Sequence, residues 1–198
     1  MTNKEIQDQR MRRYFIDAAK EIIKGEGIRA LTVRNVAARA GYSYATLYNY
    51  FKDVRMLIFE CIGEFLEELS EFVNYEMLAC DSGENRIRGC ARGFVKFYVQ
   101  YPSIFRLIFM EEVTDVSFKR MDLDFVCSSP NIFIEDDWAI WAKQKKISKS
   151  SLELHKENFR LCLTGMLLLF MNRRCPASYE EFSDLLDRQL AFVLKGGK

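Results

Sequence analysis

Between Leu31 and Leu57 the chain reads LTVRNVAARAGYSYATLYNYFKDVRML, which parses as two short helices hinged at one glycine, Gly41. Thr32 offers its hydroxyl to an early backbone N–H and so opens the first helix. Val33, Val36, Ala37 and Ala40 fall on one face of it, with Arg34, Asn35 and Arg39 on the other. Gly41 supplies the positive φ that a helix end often needs, and the chain can then turn sharply. Ser43 caps a second helix, Tyr44 to Tyr50, in which Leu47, with Phe51 just beyond, faces inward. Tyr44, Thr46, Tyr48, Asn49 and Tyr50 are left largely outward. Tyrosine and threonine are middling helix formers with no reason to crowd a solvated face. Hydroxyls, however, suit phosphate oxygens, and an asparagine amide suits an adenine edge. An ordinary helical hairpin would put these aromatics in its core. The ordered succession of cap, apolar face, glycine, second cap and hydroxyl-rich helix instead points to a helix-turn-helix and to DNA.

The segment resembles the DNA-binding region of the tetracycline-repressor (TetR) family of bacterial transcriptional regulators, over roughly Gln9 to Leu57. FIDAAKEIIKGEG, Phe15 to Gly27, is similar to that family's first helix and its glycine ending, and TLYNYFKD, Thr46 to Asp53, to its most recognisable string. The resemblance implies that Arg34, Tyr44, Ala45 and Tyr48 approach base edges. It implies that Thr46, Asn49, Tyr50 and Lys52 sit near phosphates. One position departs from the pattern: the family commonly carries a phosphate-binding lysine two residues after the position of Lys52, and this chain has Val54, with Arg55 as the substitute cation.

The 198 residues carry a net charge of only +1, so bulk charge alone gives no sign of a nucleic-acid partner. The charge is unevenly placed. Residues 1–55 hold 11 Lys and Arg against 6 Asp and Glu, and residues 56–198 hold 18 against 22, making the two parts +5 and −4. A positive N-terminal module is the footprint expected of a chain that meets phosphates at one end. The six cysteines show no CxxC pair, and four lie in apolar helical runs, so they read as small buried hydrophobes. Cys80 and Cys127, near expected loops, leave a redox trigger as the alternative. The first residues, MTNKEIQDQRMRR, contain no apolar signal core, and the longest apolar run, Leu161 to Met171, falls short of the ~20 residues that cross a bilayer. The expectation is a cytoplasmic protein with no membrane partner.

Helix spacing predicts a first helix from about Gln9 to Lys24 and a long one from Met56 to about Ala79, the latter with Leu57, Phe59, Ile62, Phe65, Leu66, Leu69, Phe72 and Val73 inside and Glu64, Glu67, Glu68 and Glu71 outside. No linker separates that helix from the head, so head and body are expected to be joined stiffly. Further helices are expected at Arg86 to Tyr101, Ser103 to Met110, Val116 to Val126, Glu135 to Lys146, Ser150 to about Arg174 and Tyr179 to Leu194. The fold class is therefore all-α: a three-helix DNA-binding domain over 1–55 and a larger helical domain for effector binding and dimerisation over 56–198. FVKFYVQYPSIFRLIFM, Phe94 to Met110, also resembles the stretch that lines the effector pocket in many family members. Phe65, Phe94, Phe97, Tyr98, Phe105, Phe109, Trp138, His155, Phe159 and Met166 are the expected pocket residues, with Tyr98, His155 or Arg106 as polar anchors of a mostly apolar ligand. The helix from Ser150 is apolar nearly all round in its second half, so part of it must meet a second surface. Leu163, Leu167, Phe170, Leu186, Leu190 and Phe192 are expected at a homodimer interface.

These features predict a regulator, with repression as the family's usual mode, that binds a palindromic double-stranded operator as a homodimer and is released by a small molecule. A regulator lacking such an effector, or triggered by cysteine oxidation, is the alternative. A thiol-dependent enzyme is the competing class, but the single histidine, His155, sits in the charged stretch LELHKEN, where a solvated residue is expected. No HExxH, GxGxxG, GxSxG or P-loop string occurs, so no catalytic residue, metal ligand or cofactor is expected.

Overall fold

The computed structural model describes residues 2–111 and 129–195, and among these every regular element is helical. The described residues divide into two compact units. One takes in the chain up to Glu68 together with the segment from Tyr101 to the end of the helix that follows it. The other takes in Leu69–Gln100 and the described residues from 129 on.

In the first unit α1 spans Asn3–Glu26, starting six residues before the point at which apolar spacing becomes visible. The cause is a capping box: Thr2 Oγ1 accepts from the Glu5 N–H at 3.3 Å, and Glu5 Oε2 accepts from the Thr2 N–H at 2.8 Å. Phe15, Ile16, Ala18, Ala19, Ile22 and Ile23 form its buried face. After a short 3-10 turn at Ile28–Ala30 come α2, Val33–Ala40, and α3, Tyr44–Tyr50. Thr32 caps α2, its hydroxyl accepting from the Asn35 N–H at 3.2 Å, and Ser43 caps α3, accepting from the Thr46 N–H at 3.1 Å. Between them Gly41 adopts φ 80°, ψ 22°, the left-handed conformation its place in the turn required. Leu47 and Phe51 are fully buried beneath α3. The fourth helix, α4, runs unbroken from Val54 to Met77, and the boundary between the units falls within it. Helix α6, Pro102–Phe109, completes the first unit, packing on α1.

An ionic layer covers the join of α1 and α4. Arg12 meets Glu60 at 2.7 Å, Arg13 meets Glu64 at 2.7 Å, Lys20 bridges Glu64 and Glu68 at 2.6 and 2.8 Å, and Lys24 meets Glu68 at 2.7 Å. Glu64 and Glu68, expected on the solvent side, are thus half-buried and paired. Their four-residue spacing along α4 matches the line of cations along α1, and Lys20 and Lys24 also lie over the Phe65 ring at 5.7 and 5.6 Å.

The second unit contains the end of α4, α5 (Glu84–Gln100), α7 (Glu135–Lys145), α8 (Lys149–Met171) and α9 (Tyr179–Val193). Helix α5 can lie close on α4 because residue 93 is glycine: a Cβ there would stand 3.2 Å from the Val73 Cα. Trp138, Trp141 and Phe159 form the centre of this unit, edge to face at 5.5 and 5.4 Å and fully buried. Ser148 and Ser178 cap α8 and α9. The helix expected at Val116 to Val126 lies outside the described residues.

Phe15 is fully buried and touches three other rings, so Phe15→Ala should lower stability by about 3–5 kcal/mol. Chemical denaturation followed by helix content checks this, with a much smaller loss expected for Phe15→Leu.

Candidate nucleic-acid interface

Helix α3 presents a row of side chains to solvent because its two ends are fixed from below. At its start the Ser43 cap is doubled by a 2.9 Å hydrogen bond between the Ser43 and Thr46 hydroxyls. At its end Arg12 of α1 donates from Nη1 to the Tyr50 carbonyl at 2.9 Å while its guanidinium lies 4.4 Å from the centre of the Phe51 ring. Arg12 thus satisfies a carbonyl that a helix terminus would otherwise leave open. No sequence pattern pointed to it, since its partner lies 38 residues away.

With the ends held, Tyr44 and Tyr48 are exposed, at 61% and 50%, as are Ala45 and Asn49. These occupy the outer face, as the alternation with buried Leu47 requires. Thr46 and Tyr50 are half-buried: the Thr46 hydroxyl is engaged by Ser43, and the Tyr50 ring leans on Phe15 at 5.9 Å. The second pair therefore has less free surface than a simple helical wheel suggests.

On α2, Arg34 is exposed, and so is Lys52 after α3; among the described residues neither makes an ion pair. Arg39, by contrast, is held by Glu26 at 2.6 Å. Arg55, the substitute for the absent lysine at Val54, is held by its neighbour. Asp53 Oδ1 accepts from the Arg55 backbone N–H at 3.0 Å and Oδ2 from its Nε at 2.6 Å. Asp53 thereby caps the start of α4, and the backbone and guanidinium donors of Arg55 hold its carboxyl below the usual aspartate range. A phosphate must compete with this carboxylate for Arg55.

Two residues that the sequence pattern did not single out border the same surface. Tyr42, in the turn before the Ser43 cap, is 39% exposed and stacks on Tyr14 of α1 with ring centres 6.2 Å apart and planes at 30°. Its other side meets Phe15 edge-on at 5.7 Å. The signal for Tyr14 was its position one residue before Phe15, which sets it on the outer side of α1.

The residues expected to line an effector pocket are distributed over both units. Phe65, Phe105 and Phe109 belong to the first, where Phe105 and Phe109 pack at 4.9 Å. In the second, Phe94 meets Tyr98 at 4.9 Å, Phe97 meets Phe72 at 5.7 Å, and Trp138 meets Phe159 at 5.4 Å. Burial pushes the Tyr98 phenol well above its ordinary range. Met166 is buried and accepts from the Cys162 thiol at 3.7 Å. His155 is not the solvated residue its charged neighbours suggest: it is half-buried, its ring 4.9 Å from Trp141 and its Nδ1 2.5 Å from the Val193 carbonyl at the end of α9. Arg106 lies on the exposed side of α6, away from any interior anchor position.

Four of the six residues expected at a dimer interface must be reassigned. Leu163, Leu167, Leu186 and Leu190 are buried within the protomer, where α8 and α9 pack on each other and on their neighbours. Phe170 is half-buried against Phe182 at 4.8 Å, and only Phe192 stands out, 75% exposed. The exposed apolar residues of α8 are Leu154, Leu161, Leu168 and Leu169. The cysteines divide as well: Cys61 and Cys90 are buried, Cys80 and Cys162 half-buried and Cys175 exposed, while Cys127 lies outside the described residues. Among the described residues no helix is long and apolar enough to cross a membrane.

Residues 15–61 match the family model described as bacterial regulatory proteins, tetR family. No curated protein matches the sequence. Among solved structures the fold resembles that of a TetR-family transcriptional regulator from Rhodococcus sp., at 19% identity, covering 94% of this chain and 100% of that one with a TM-score of 0.74. A tetR-family regulator from Streptomyces coelicolor is similar over 96% of this chain and 90% of its own, at 13% identity and a TM-score of 0.65. AibR, solved in complex with isovaleryl coenzyme A and operator DNA, shares 16% identity over 94% of this chain and 100% of its own, with a TM-score of 0.66.

Lys52→Ala should weaken binding to all duplexes about equally and flatten its salt dependence, because a phosphate contact carries no sequence information. Arg55→Ala should do less, since Asp53 already holds that side chain; binding isotherms over a salt series compare the two. Arg34→Ala should instead relax the preference at one base pair of each half-site, read by competition with substituted duplexes.

Proposed function

We propose that the chain, whose residues 15–61 match the tetR family model, is a DNA-binding transcriptional regulator that binds a palindromic operator as a homodimer and is released from it by a small, mostly apolar effector. The observation that carries this reading is the exposed row Tyr44, Ala45, Tyr48 and Asn49 on a helix fixed at both ends, flanked by Arg34 and Lys52, which no acidic group among the described residues neutralises. One such helix spans only a few base pairs, so two copies at half-sites about one helical turn apart are needed for a specific site. Selection of bound duplexes from a random pool tests this: a two-fold symmetric consensus is expected, and an asymmetric one, or none, overturns it.

The second copy is supplied through α8 and α9. Leu154, Leu161 and Leu168 recur at seven-residue intervals on the outside of α8, and Leu169 and Phe192 are exposed as well. An apolar stripe of this kind favours association with an identical stripe. Leu161→Glu combined with Phe192→Glu should turn a dimer into a folded monomer in sedimentation. Leu163→Ala should leave the dimer intact and cost about 2–5 kcal/mol of protomer stability, because its side chain is core.

The effector is proposed to enter the second unit and to act by shifting α4. Among the described residues, the buried Ser129 hydroxyl and Trp141 indole N–H there have no hydrogen-bond partner. A buried unsatisfied donor costs about 1–3 kcal/mol, which a ligand acceptor would recover. AibR, similar in fold, was solved with an acyl thioester of coenzyme A and with operator DNA, and a short branched acyl chain suits an interior built of Phe94, Trp138 and Phe159. Titration calorimetry with a series of acyl thioesters, repeated on operator-bound protein, checks this. Binding in the free protein and weaker binding on the operator are expected, since the coupling between the two sites is reciprocal.

A further inference from the structure

We propose that α1 itself is a second DNA-binding element, whose outer face carries the phosphate backbone of the duplex flanking each half-site. The inference rests on the DNA-binding role of α3 and extends its surface. Because the capping box starts α1 at Asn3, the helix has more than two turns before its buried face begins at Phe15. Asn3, Gln7, Arg10 and Tyr14 recur at intervals of four, three and four residues, which places them in one line along it. All four are exposed, and Arg10 has no ion-pair partner among the described residues. Its neighbours Arg12 and Arg13 differ in this respect, being held by Glu60 and Glu64.

The lower end of this line joins the recognition surface. Tyr14 stacks on Tyr42, and Tyr42 immediately precedes the Ser43 cap of α3. The line is therefore continuous with the surface that carries Tyr44 and Tyr48, and its chemistry suits phosphate: one guanidinium, two amides and a phenol, with no carboxylate among the four. Nothing in it matches a membrane or an apolar partner. A ring as large as Tyr14, 52% exposed yet held in place by a stacked neighbour, presents its hydroxyl at low conformational cost.

The test uses the full chain and a duplex selected from a random pool, prepared with flanking base pairs and trimmed to its half-sites. Wild-type protein is expected to bind the flanked duplex more tightly. Arg10→Gln, whose side chain touches no core, should lower the slope of log K against log salt by about 0.9 for each protomer bound on the flanked duplex, and by nothing on the trimmed one. Tyr14→Phe, which keeps the stack, should weaken flanked binding alone. Equal binding of both duplexes by wild type, or an Arg10→Gln slope identical to wild type on the flanked duplex, overturns the proposal while leaving α3 as the recognition helix. Failure of wild type to retain any duplex overturns both.

Discussion

A seven-residue helix does not persist in water on its own, so the outward row on α3 depends on the packing of Phe15. That ring meets Tyr42 before the helix, Tyr50 at its last turn and Phe51 just after it, and it is fully shielded from solvent. One side chain of α1 therefore fixes both ends of α3. Arg12, one turn earlier on α1, adds a hydrogen bond to the Tyr50 carbonyl. A helix outside the helix-turn-helix pair thus sets the geometry of the exposed row on α3.

The same helix also explains how charge is arranged. Counting charges up to residue 55 gives a positive head, but that count includes Arg12, Arg13, Lys20 and Lys24, each of which lies within 2.8 Å of a glutamate of α4. Much of the apparent excess is consumed internally. These pairs are partly exposed, so each contributes little to stability by itself, and their effect is to align α1 with the start of α4. Among the described residues, the cations of the head that no carboxylate reaches form a smaller set, Lys4, Arg10, Arg29, Arg34 and Lys52. Arg55 stands between the two groups, tied to Asp53 at the start of α4.

How much was legible in the sequence depended on whether the information was local. The helix-turn-helix could be read because its caps, Thr32 and Ser43, and its turn, Gly41, each act over three or four residues. The start of α1 was missed because the Thr2–Glu5 capping box lies in a polar stretch, where apolar spacing gives no signal. The interface leucines were misplaced for a different reason. A helix apolar on all sides has no readable phase, and only the packing of α8 against α9 shows that Leu163 points inward and Leu161 outward. His155 was misjudged because its neighbours in sequence are charged while its neighbours in space are Trp141 and the end of α9. Ring pairs such as Tyr14 with Tyr42, 28 residues apart, lie beyond any local pattern.

The edge-to-face pair Trp138 and Trp141 has a consequence for watching the molecule at work. They are the only tryptophans in the chain, and both lie in the second unit, whereas Tyr14, Tyr42, Tyr44, Tyr48 and Tyr50 are clustered in the first. Indole absorbs at wavelengths where phenol does not, so excitation at the red edge of the aromatic band sees the second unit alone. The unlabelled protein thus carries in its two indoles a reporter of the second unit alone, and the response of that unit to a ligand can be followed without a label.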